Sequence, residues 1–282
     1  MQYSILPLTS ADLPLAHAMT QALGWPHRQQ DWQHILDLGD AIALKDDSKL
    51  IGTGAVLPQG DYASIGLVVI DQKYQQQGLG RTIVEQLINH SPLVDWYLTA
   101  TLAGEPLYRK LGFRHYQRVH QYQAKVKPLT PVPENRPSQH TIDDYRPNDS
   151  ASLQQLMQSA TQMNRDKIVD WLCQTSQRII VLKHLQQITG YACLREFGRG
   201  LCIGPVIAQT EDQACYLIRE LLAGVSGQFV RIDIPSQYRM IAATLTTFGL
   251  MQVDDVSQMV KGATPTINPD CTQFALVTQA IG

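Results

Sequence analysis

The chain has 282 residues, of which 44% are hydrophobic and 17% are charged, a composition typical of a globular protein with a sizeable core. Its length favours two domains over one or three. A formal net charge of −2 excludes nucleic acid as the main partner, because a protein that binds phosphate backbones needs a basic face.

The amino-terminal segment and the cysteines predict the compartment. The first residues lack the basic segment and long apolar stretch of a signal peptide, and no apolar run is long enough to cross a membrane. We therefore expect a cytoplasmic protein with no membrane partner. All five cysteines lie in the second half, their number is odd and no C-x-x-C occurs, which favours reduced, mostly buried thiols over disulfides or metal ligands. We expect no metal.

Hydrophobic periodicity predicts the elements of the first half. Runs rich in β-branched and aromatic residues indicate strands, and apolar residues three or four positions apart indicate helices. The prediction, in chain order, is a strand over residues 3–8, helices over 13–22 and 31–38, strands over 41–44, 49–57 and 65–70, a helix from residue 79, a strand over 96–101, a short helix around residue 108 and a strand over 113–126.

The junction between the strand over 65–70 and the following helix carries the strongest functional signal. Residues 75–81 read Q-Q-Q-G-L-G-R. Two glycines let the backbone approach a ligand closely, and the unpaired N–H groups of a first helical turn bind anions such as a pyrophosphate. The segment is neither a G-x-G-x-x-G dinucleotide fingerprint nor a Walker loop. A glycine-terminated turn before an ordinary helix is the alternative interpretation.

Two motifs in this region resemble those of the GNAT superfamily of N-acetyltransferases. The first is Q-x-x-G-x-G at residues 75–80, after an apolar strand, and it is similar to the acyl-CoA-binding motif of that family. The second is a strand ending in Ala100, then a short helix that carries Tyr108 and closes on L-G-F at residues 111–113. The resemblance implies an α/β fold of the α+β type, with a mixed central sheet flanked by helices, and acetyl-CoA as co-substrate.

The resemblance also implies roles for individual residues. Backbone amides of the loop and first helical turn would hold the CoA pyrophosphate, and the end of the fourth strand would pair with the pantetheine arm; for the strand residues, plain core packing is compatible with this role. The implied cofactor-binding residues are Val68, Val69, Ile70, Gln75, Gln76, Gln77, Gly78, Leu79, Gly80 and Arg81. Tyr108 would protonate the departing thiolate, with a half-buried packing tyrosine as the alternative.

The sequence does not identify a general base. A lysine-like amine is mostly protonated at neutral pH and must lose a proton before it attacks a thioester. His27, Asp31, Asp61 and Glu105 lie in segments that the fold could bring to the cleft. A surface residue or helix cap is the better single interpretation of each, although His27 follows Trp25-Pro26 in a predicted cleft loop.

A proline-rich segment divides the chain, and the second half repeats the first. Four prolines within residues 128–137 disfavour helix and sheet, which predicts domains at 1–127 and 141–282 joined by a linker at 128–140. Matching dipeptides and glycines recur at offsets of 137 to 139 residues, for example Asp31-Trp32 as Asp170-Trp171. A tandem duplication explains so constant an offset.

The second copy has lost the cofactor signals. Where the first copy has its glycines, the second has Glu211 and Asp212 at the predicted helix start, and two carboxylates there would repel a pyrophosphate. By the same offset, Leu245 replaces Tyr108. The whole chain therefore resembles tandem GNAT proteins with one working and one degenerate domain.

The last apolar segment, residues 272–281, is predicted to be a strand. The first domain lacks a seventh strand. We expect this segment either to close the second sheet or to cross over and complete the first.

The sequence is compatible with three functions. The first is transfer of an acetyl or other short acyl group from acetyl-CoA to a primary amine of a small molecule or peptide, with the second domain shaping the acceptor pocket or a homodimer interface. The second is a non-catalytic acyl-CoA-binding or sensing protein. The third, a purely structural tandem fold, conflicts with the retention of Gly78 and Gly80 in one copy alone.

Overall fold

The structure, a computed structural model, describes residues 3–90, 95–128, 139–266 and 268–282. Most of the predicted linker, residues 129–138, lies outside the described residues. The first half comprises β1 (Tyr3–Pro7), α1 (Leu13–Ala22), α2 (Gln29–Leu38), β2 (Asp40–Asp46), β3 (Lys49–Gln59), β4 (Tyr62–Ile70), α3 (Leu79–His90), β5 (Asp95–Ala100), α4 (Glu105–Lys110) and β6 (Arg114–Lys125).

The second half repeats this order of elements. It comprises β7 (His140–Asp144), α5 (Ser150–Thr161), α6 (Asp166–Thr175), β8 (Arg178–His184), β9 (Gln187–Phe197), β10 (Gly200–Ala208), α7 (Glu211–Ala223), β11 (Phe229–Pro235), α8 (Arg239–Thr247) and β12 (Met251–Lys261), with β13 (Thr272–Ala275) added at the end. Each half is a mixed sheet flanked by helices, because β4 and β5, and likewise β10 and β11, pair in parallel while the remaining pairs are antiparallel. This confirms the predicted fold class and the duplication.

The strands of both halves form one continuous sheet. Its order is β1-β2-β3-β4-β5-β12-β6-β11-β10-β9-β8-β7, with β13 on β10. Strand β12 of the second half pairs with β5 of the first half, and β6 of the first half pairs with β11 of the second. The two halves have therefore exchanged their sixth strands. The predicted boundary at residue 127 stays a prediction, but the sheet does not divide there.

The end of the chain contributes to both halves. Thr272–Ala275 pairs with β10, so this segment joins the second sheet, and the strand that completes the first sheet is β12. The prediction of a strand over the whole of 272–281 was too long, because the residues after Ala275 leave the sheet to pack against the first half. There the carbonyl oxygen of Ile281 accepts hydrogen bonds from Gln59 Nε2, at 3.0 Å, and from the Tyr97 hydroxyl.

The helices pack on the sheet and bury three clusters of apolar side chains. Four helices, α1, α2, α5 and α6, share one core that includes Trp32, Met157 and Leu172. On the first half, α3 and α4 pack with Ile83, Leu98 and their neighbours, and α7 and α8 form the corresponding core of the second half. All five cysteines are free and four of them are buried, as expected. No helix among the described residues is long and apolar enough to cross a membrane.

The exchange of strands predicts that residues 1–127 do not fold alone. Among the described strands, β6 pairs only with β11 and β12, so without the second half β6 has no partner and β5 has an open edge. We expect residues 1–127 expressed alone to aggregate or to unfold without a cooperative transition, measured by calorimetry. Co-expression of residues 128–282 as a separate chain should restore the transition. A soluble 1–127 fragment with a sharp melting transition would contradict this prediction.

Candidate active site

A β-bulge in β4 opens the sheet at the predicted cofactor site. Thr53 faces Val69 and Ala55 faces Gly66, so two residues of β4 stand opposite the single Gly54 of β3. One of the two is Leu67, whose φ of 51° is uncommon for a non-glycine residue. The Thr53 hydroxyl donates to the Leu67 carbonyl at 2.9 Å and holds the bulge in place. A bulge of this kind bends the strand away from its neighbour.

The two central strands separate beyond the bulge. β4 and β5 pair only where residues 62–65 face residues 95–98. From Gly66 onward β4 keeps β3 on one side, and the pairing described for the sheet gives it no strand on the β5 side. The predicted residues Val68, Val69 and Ile70 thus lie on a backbone edge that an extended, amide-containing ligand can pair with.

The loop before α3 leaves backbone amides available to a ligand. Gln76 and Gly78 have positive φ values of 62° and 81°, which turn the chain into the helix. The first bond of α3 runs from the Thr82 amide to the Gly78 carbonyl at 3.1 Å, so the amides before Thr82 lack helical partners. A Cβ at Gly78 would have no atom of the residues described by the structure within 4 Å, and the loop surface there is open. This geometry suits an anion at the helix start.

The side chain of Arg81 contributes less than the amides. Its Nε donates to Glu85 at 2.8 Å, and both side chains are exposed. The charge is therefore partly neutralised within the helix. The side chain of Gln75 has a structural role instead, because its Nε2 donates to the Ile70 carbonyl at 3.1 Å and ties the loop to the end of β4.

A cavity of about 690 Å³ lies between the separated strands, and we call it the β4–β5 cavity. It brings together nearly all of the predicted site residues, with Gln77 the exception. From the predicted set, its walls include Val68, Val69, Ile70, Gln75, Gln76, Gly78, Leu79, Gly80, Arg81 and Tyr108. Gln77 lies beside this wall, where its side chain accepts a hydrogen bond from the Tyr3 hydroxyl at 3.2 Å.

Tyr108 enters the cavity from α4. Its ring is 8% exposed and meets the edge of Phe113, with ring centroids 5.9 Å apart. Burial raises the pKa of Tyr108 to about 12, so the phenol keeps its proton at neutral pH. A protonated phenol on the wall of a cleft can donate a hydrogen bond, or its proton, to an anionic group that forms beside it.

The equivalent helix start in the second half is closed by the chain's own side chains. The Thr210 hydroxyl accepts from the Gln213 amide at 3.3 Å. Glu211 accepts from the amides of Met240 and Ile241 at 2.7 and 3.0 Å and thereby caps α8. Leu245, at the position of Tyr108, is fully buried in the core. These contacts support the prediction that the second copy is degenerate.

The four candidate bases do not lie together. Burial raises the pKa of Asp31, but hydrogen bonds and the charge of Arg28 outweigh burial and hold that pKa below its usual range. The Asp31 carboxylate also accepts from the Gly198 amide at 3.2 Å, so its role is structural. Glu105 pairs with Arg109 on α4. Asp61 is an exposed residue of the β3–β4 turn. None of these three carboxylates lines the β4–β5 cavity or the adjacent cavity that contains His27.

His27 lines a second cavity, of about 260 Å³, which we call the interhalf cavity. Five residues belong to the walls of both cavities, so the two are adjacent: Trp25, Gly66, Leu67, Thr99 and Thr101. The remaining walls come from both halves of the chain and include Gln121 and Gln123 of β6, Phe197 and Arg199 near the β9–β10 turn, Asp254 of β12 and residues 278–280.

The surroundings of His27 keep it neutral. Its ring lies 5.3 Å from the ring of Phe197 and 5.9 Å from that of Trp25. Burial, and then the charge of Arg231, lower the pKa of His27 to about 4. Its Nδ1 is buried and has no hydrogen-bond partner among the described residues, and the same is true of Thr99 Oγ1 at the junction of the cavities. Sequence reasoning missed Thr99 and every second-half residue of this cavity, since no local motif marks them.

The lowered pKa of His27 predicts a pH dependence of stability. Between about pH 6.5 and pH 4 the unfolded chain binds a proton at this histidine and the folded chain does not, so stability falls as the pH falls through this window. We expect the melting temperature of His27→Gln to fall less between pH 6.5 and pH 4 than that of the unchanged chain. An unaltered pH profile would show that the folded histidine titrates normally.

Family models match both halves of the chain. A model described as an acetyltransferase (GNAT) domain matches residues 37–115, and another with the same description matches residues 154–275; together they cover more than half of the chain. The chain belongs to the GNAT acetyltransferases. It carries two GNAT domains in tandem, and membership of this family supports an acyltransferase activity.

The similarity of this GNAT protein to other proteins covers more than nine tenths of its length. The uncharacterized N-acetyltransferase YitH of Bacillus subtilis (strain 168) is 28% identical over 265 residues, which are 92% of this chain and 91% of the relative. The fold is similar to that of a candidate acetyltransferase of Pyrococcus horikoshii, with a TM-score of 0.81, 18% identity and coverage of 99% and 96% of the two chains. A tandem GNAT protein from the clavulanic acid biosynthesis pathway gives a TM-score of 0.67 at 12% identity, over 94% and 100%.

Proposed function

We propose that this GNAT protein transfers an acetyl group from acetyl-CoA to a primary amine by direct attack, with the reaction centred on the β4–β5 cavity. The observation that carries the proposal is the coincidence, on one cavity wall, of the open amides before Thr82, the unpaired edge of β4 and the buried phenol of Tyr108. Acetyl-CoA supplies the activated acyl group as a thioester.

Each part of the donor has a matching surface. The amides of residues 76–81 would bind the pyrophosphate, since they are N–H donors at the positive end of a helix. The edge at Val68, Val69 and Ile70 would pair with the pantetheine amides, and a backbone N–H in this region would polarise the thioester carbonyl. The open space at Gly78 supports this arrangement, because no atom of the described residues lies within 4 Å of a Cβ placed there.

Tyr108 would supply the proton for the leaving group. As the amine nitrogen forms its bond to the acyl carbon, the carbon–sulfur bond breaks and the sulfur takes the phenolic proton. The amine loses one proton in the same turnover, and this proton restores the phenol through solvent. With a pKa near 12, Tyr108 is protonated at the start of every cycle at neutral pH.

His27 does not suit the role of a base toward a free ammonium. The gap between a lysine-like amine of pKa about 10.4 and an imidazole of pKa about 4 corresponds to about 9 kcal/mol of unfavourable proton transfer. We infer that the amine reaches the thioester already neutral. The uncharged His27 then serves as a wall that does not repel an incoming amine.

The interhalf cavity is the proposed acceptor site. It adjoins the β4–β5 cavity through shared walls, and a small-molecule or peptide amine placed there would face the thioester end of the donor. This supports the predicted role of the second half in shaping the acceptor pocket. The alternative role in a homodimer interface and the cytoplasmic location stay predictions.

Two measurements test the proposal. Acetyl-CoA should raise the melting temperature of the full chain, because a ligand that binds only the folded state stabilises it. With a panel of amines, free thiol should then be released from acetyl-CoA in proportion to acetylated product. A stabilising effect without thiol release from any amine would reduce the function to binding, and the absence of both effects would refute the proposal.

A further inference from the structure

The interhalf cavity has charged residues on walls that it does not share with the β4–β5 cavity. Arg199 lies there in the turn between β9 and β10, and its side chain is exposed. Contacts from the first half hold this turn: the Asp31 carboxylate accepts from the Gly198 amide, and a Cβ at Gly198 would lie 2.9 Å from Pro26 Cβ. The position of Arg199 is therefore fixed by the packing of one half on the other.

Arg199 is the unpaired cation of the cavity. The other arginine on the walls, Arg231, is already neutralised, because its Nε and Nη2 donate to the two carboxylate oxygens of Asp233 at 2.9 and 3.0 Å. Across the part of the chain that the structure describes, no ion pair or side-chain hydrogen bond involves Arg199. A guanidinium in this state is a ready partner for a carboxylate.

Asp254 is an acidic residue on the same unshared part of the cavity wall. Its carboxylate accepts from the amide of Asp255 at 2.9 Å, and within the described ranges it has no cationic partner. The neighbouring Asp255, by contrast, pairs with Arg118. One free cation and one free anion on the cavity wall match a ligand end that carries both an anionic and a cationic group.

The separation of the two ends fits a short aliphatic chain. Thr99, at the junction of the cavities, pairs with Gln258 of β12, and Asp254 lies four residues earlier on the same strand. At about 3.3 Å per residue, the backbone of Asp254 lies roughly 13 Å from the level of Thr99. The side chains of the two residues and a hydrogen bond of about 2.8 Å at each end cover roughly half of that span. A lysine is about 6 Å long from its α-carbon to its side-chain nitrogen, by standard bond lengths.

We propose that the acceptor of the GNAT reaction is a small basic α-amino acid of the lysine or ornithine type, bound with its carboxylate on Arg199, its α-ammonium on Asp254 and its side-chain amine at Thr99. The inference rests on the proposed acetyl transfer. The side-chain nitrogen, neutral when it attacks, forms the new bond to the acyl carbon while Tyr108 protonates the departing sulfur.

Size and unsatisfied polar groups support this assignment. A cavity of about 260 Å³ lies just below the ~300–1,000 Å³ of sites for drug-sized ligands, so it suits one small molecule better than a folded partner. Thr99 Oγ1 is buried without a partner, and rotation about its χ1 bond would present it to the amine N–H. A polyamine would leave Arg199 unpaired opposite a second cation.

The test compares three acceptors that differ at one end. L-lysine carries both head groups, cadaverine lacks the carboxylate, and 6-aminohexanoate lacks the α-ammonium. Thiol release from acetyl-CoA by the full chain should give a kcat/KM for lysine at least tenfold above those of the other two. The corresponding ornithine set, with putrescine and 5-aminopentanoate, tests the shorter chain. Mass spectrometry of the lysine product should place the acetyl group on the side-chain nitrogen.

Two variants assign the head groups. Arg199→Gln should lower kcat/KM for lysine to about the value for cadaverine, whereas kcat/KM for cadaverine should not fall. Asp254→Asn should lower kcat/KM for lysine to about the value for 6-aminohexanoate. Arg239→Gln is the matched control, since Arg239 is an exposed arginine outside both cavities, and it should change none of the three values.

The outcomes separate the inference from the proposed function. Three outcomes would overturn the inference while acetyl transfer stands. They are a kcat/KM for cadaverine as high as that for either amino acid, acetylation of the α-nitrogen, and an equal loss of kcat/KM for lysine and cadaverine in Arg199→Gln. Binding of acetyl-CoA without thiol release from any amine would overturn both.

Discussion

Replacing Gly78 with glutamate is expected to abolish the binding of acetyl-CoA. The new carboxylate would stand among the amides that precede Thr82, where the pyrophosphate is proposed to bind. At a separation of about 5 Å and an effective dielectric constant of about 20, each pair of like charges costs about 3 kcal/mol, which is more than a hundredfold in affinity. Calorimetric titration of the variant should give no heat, and acetyl-CoA should no longer raise its melting temperature.

Gly78→Gln is the matched control for this variant. Both side chains have the same length, both have open space, and both incur the same strain of about 1–2 kcal/mol at a positive φ of 81°. The unliganded melting temperatures of the two variants should therefore agree. Glutamine should retain most of the affinity because it adds no charge. An equal loss of acetyl-CoA affinity in the two variants would mean that the shape of the side chain, and not its charge, prevents binding. Full affinity of the glutamate variant would show that the pyrophosphate does not bind at this loop.

The local parts of the fold were predictable from the sequence. Helix α1 has the predicted bounds, Leu13–Ala22, since the apolar spacing that predicts it lies within the segment itself. The strand, loop and helix of β4 and α3 were equally clear, because the apolar run at residues 65–70 and the glycines at 78 and 80 act over short distances. The candidate cofactor residues other than Gln77 consequently line the same cavity, the β4–β5 cavity.

The exchange of the sixth strands could not be predicted in this way. Strand β12 has a hydrophobic pattern that fits either neighbour, and its choice of β5 over β11 depends on pairing between residues about 160 positions apart, such as Ser257 with Ala100. The acceptor side of the site depends on the same exchange. Arg199, Phe197 and Gln279 reach it only because the two halves share one sheet, so no motif within either half marks these residues.

The bulge at Leu67 was also beyond sequence reasoning. Nothing in the run I-G-L-V-V-I indicates that Leu67 adopts a positive φ, and a leucine in that conformation is strained by its own backbone. The strain is borne because the Thr53 hydroxyl and the packing of β3 hold the bulge, and the result is the separated edge on which the proposed donor site depends.

Replacing Tyr108 with phenylalanine is expected to lower kcat by about 10²–10⁴, the range that a general acid contributes. The ring packing on Phe113 is retained in the variant. The affinity for acetyl-CoA and the melting temperature should therefore stay close to those of the unchanged chain. Steady-state thiol release with the best acceptor gives kcat, and calorimetric titration gives the affinity.

The control for this variant is Tyr122→Phe, which removes the hydroxyl of a buried tyrosine outside both cavities and should leave kcat unchanged. A sharper test changes the leaving group. If Tyr108 protonates the sulfur, the deficit of Tyr108→Phe should shrink with an acetyl thioester whose thiol has a pKa several units lower, because such a thiolate departs without a proton. A deficit that is the same for both thioesters would show that Tyr108 positions the donor and that another group, or solvent, protonates the sulfur.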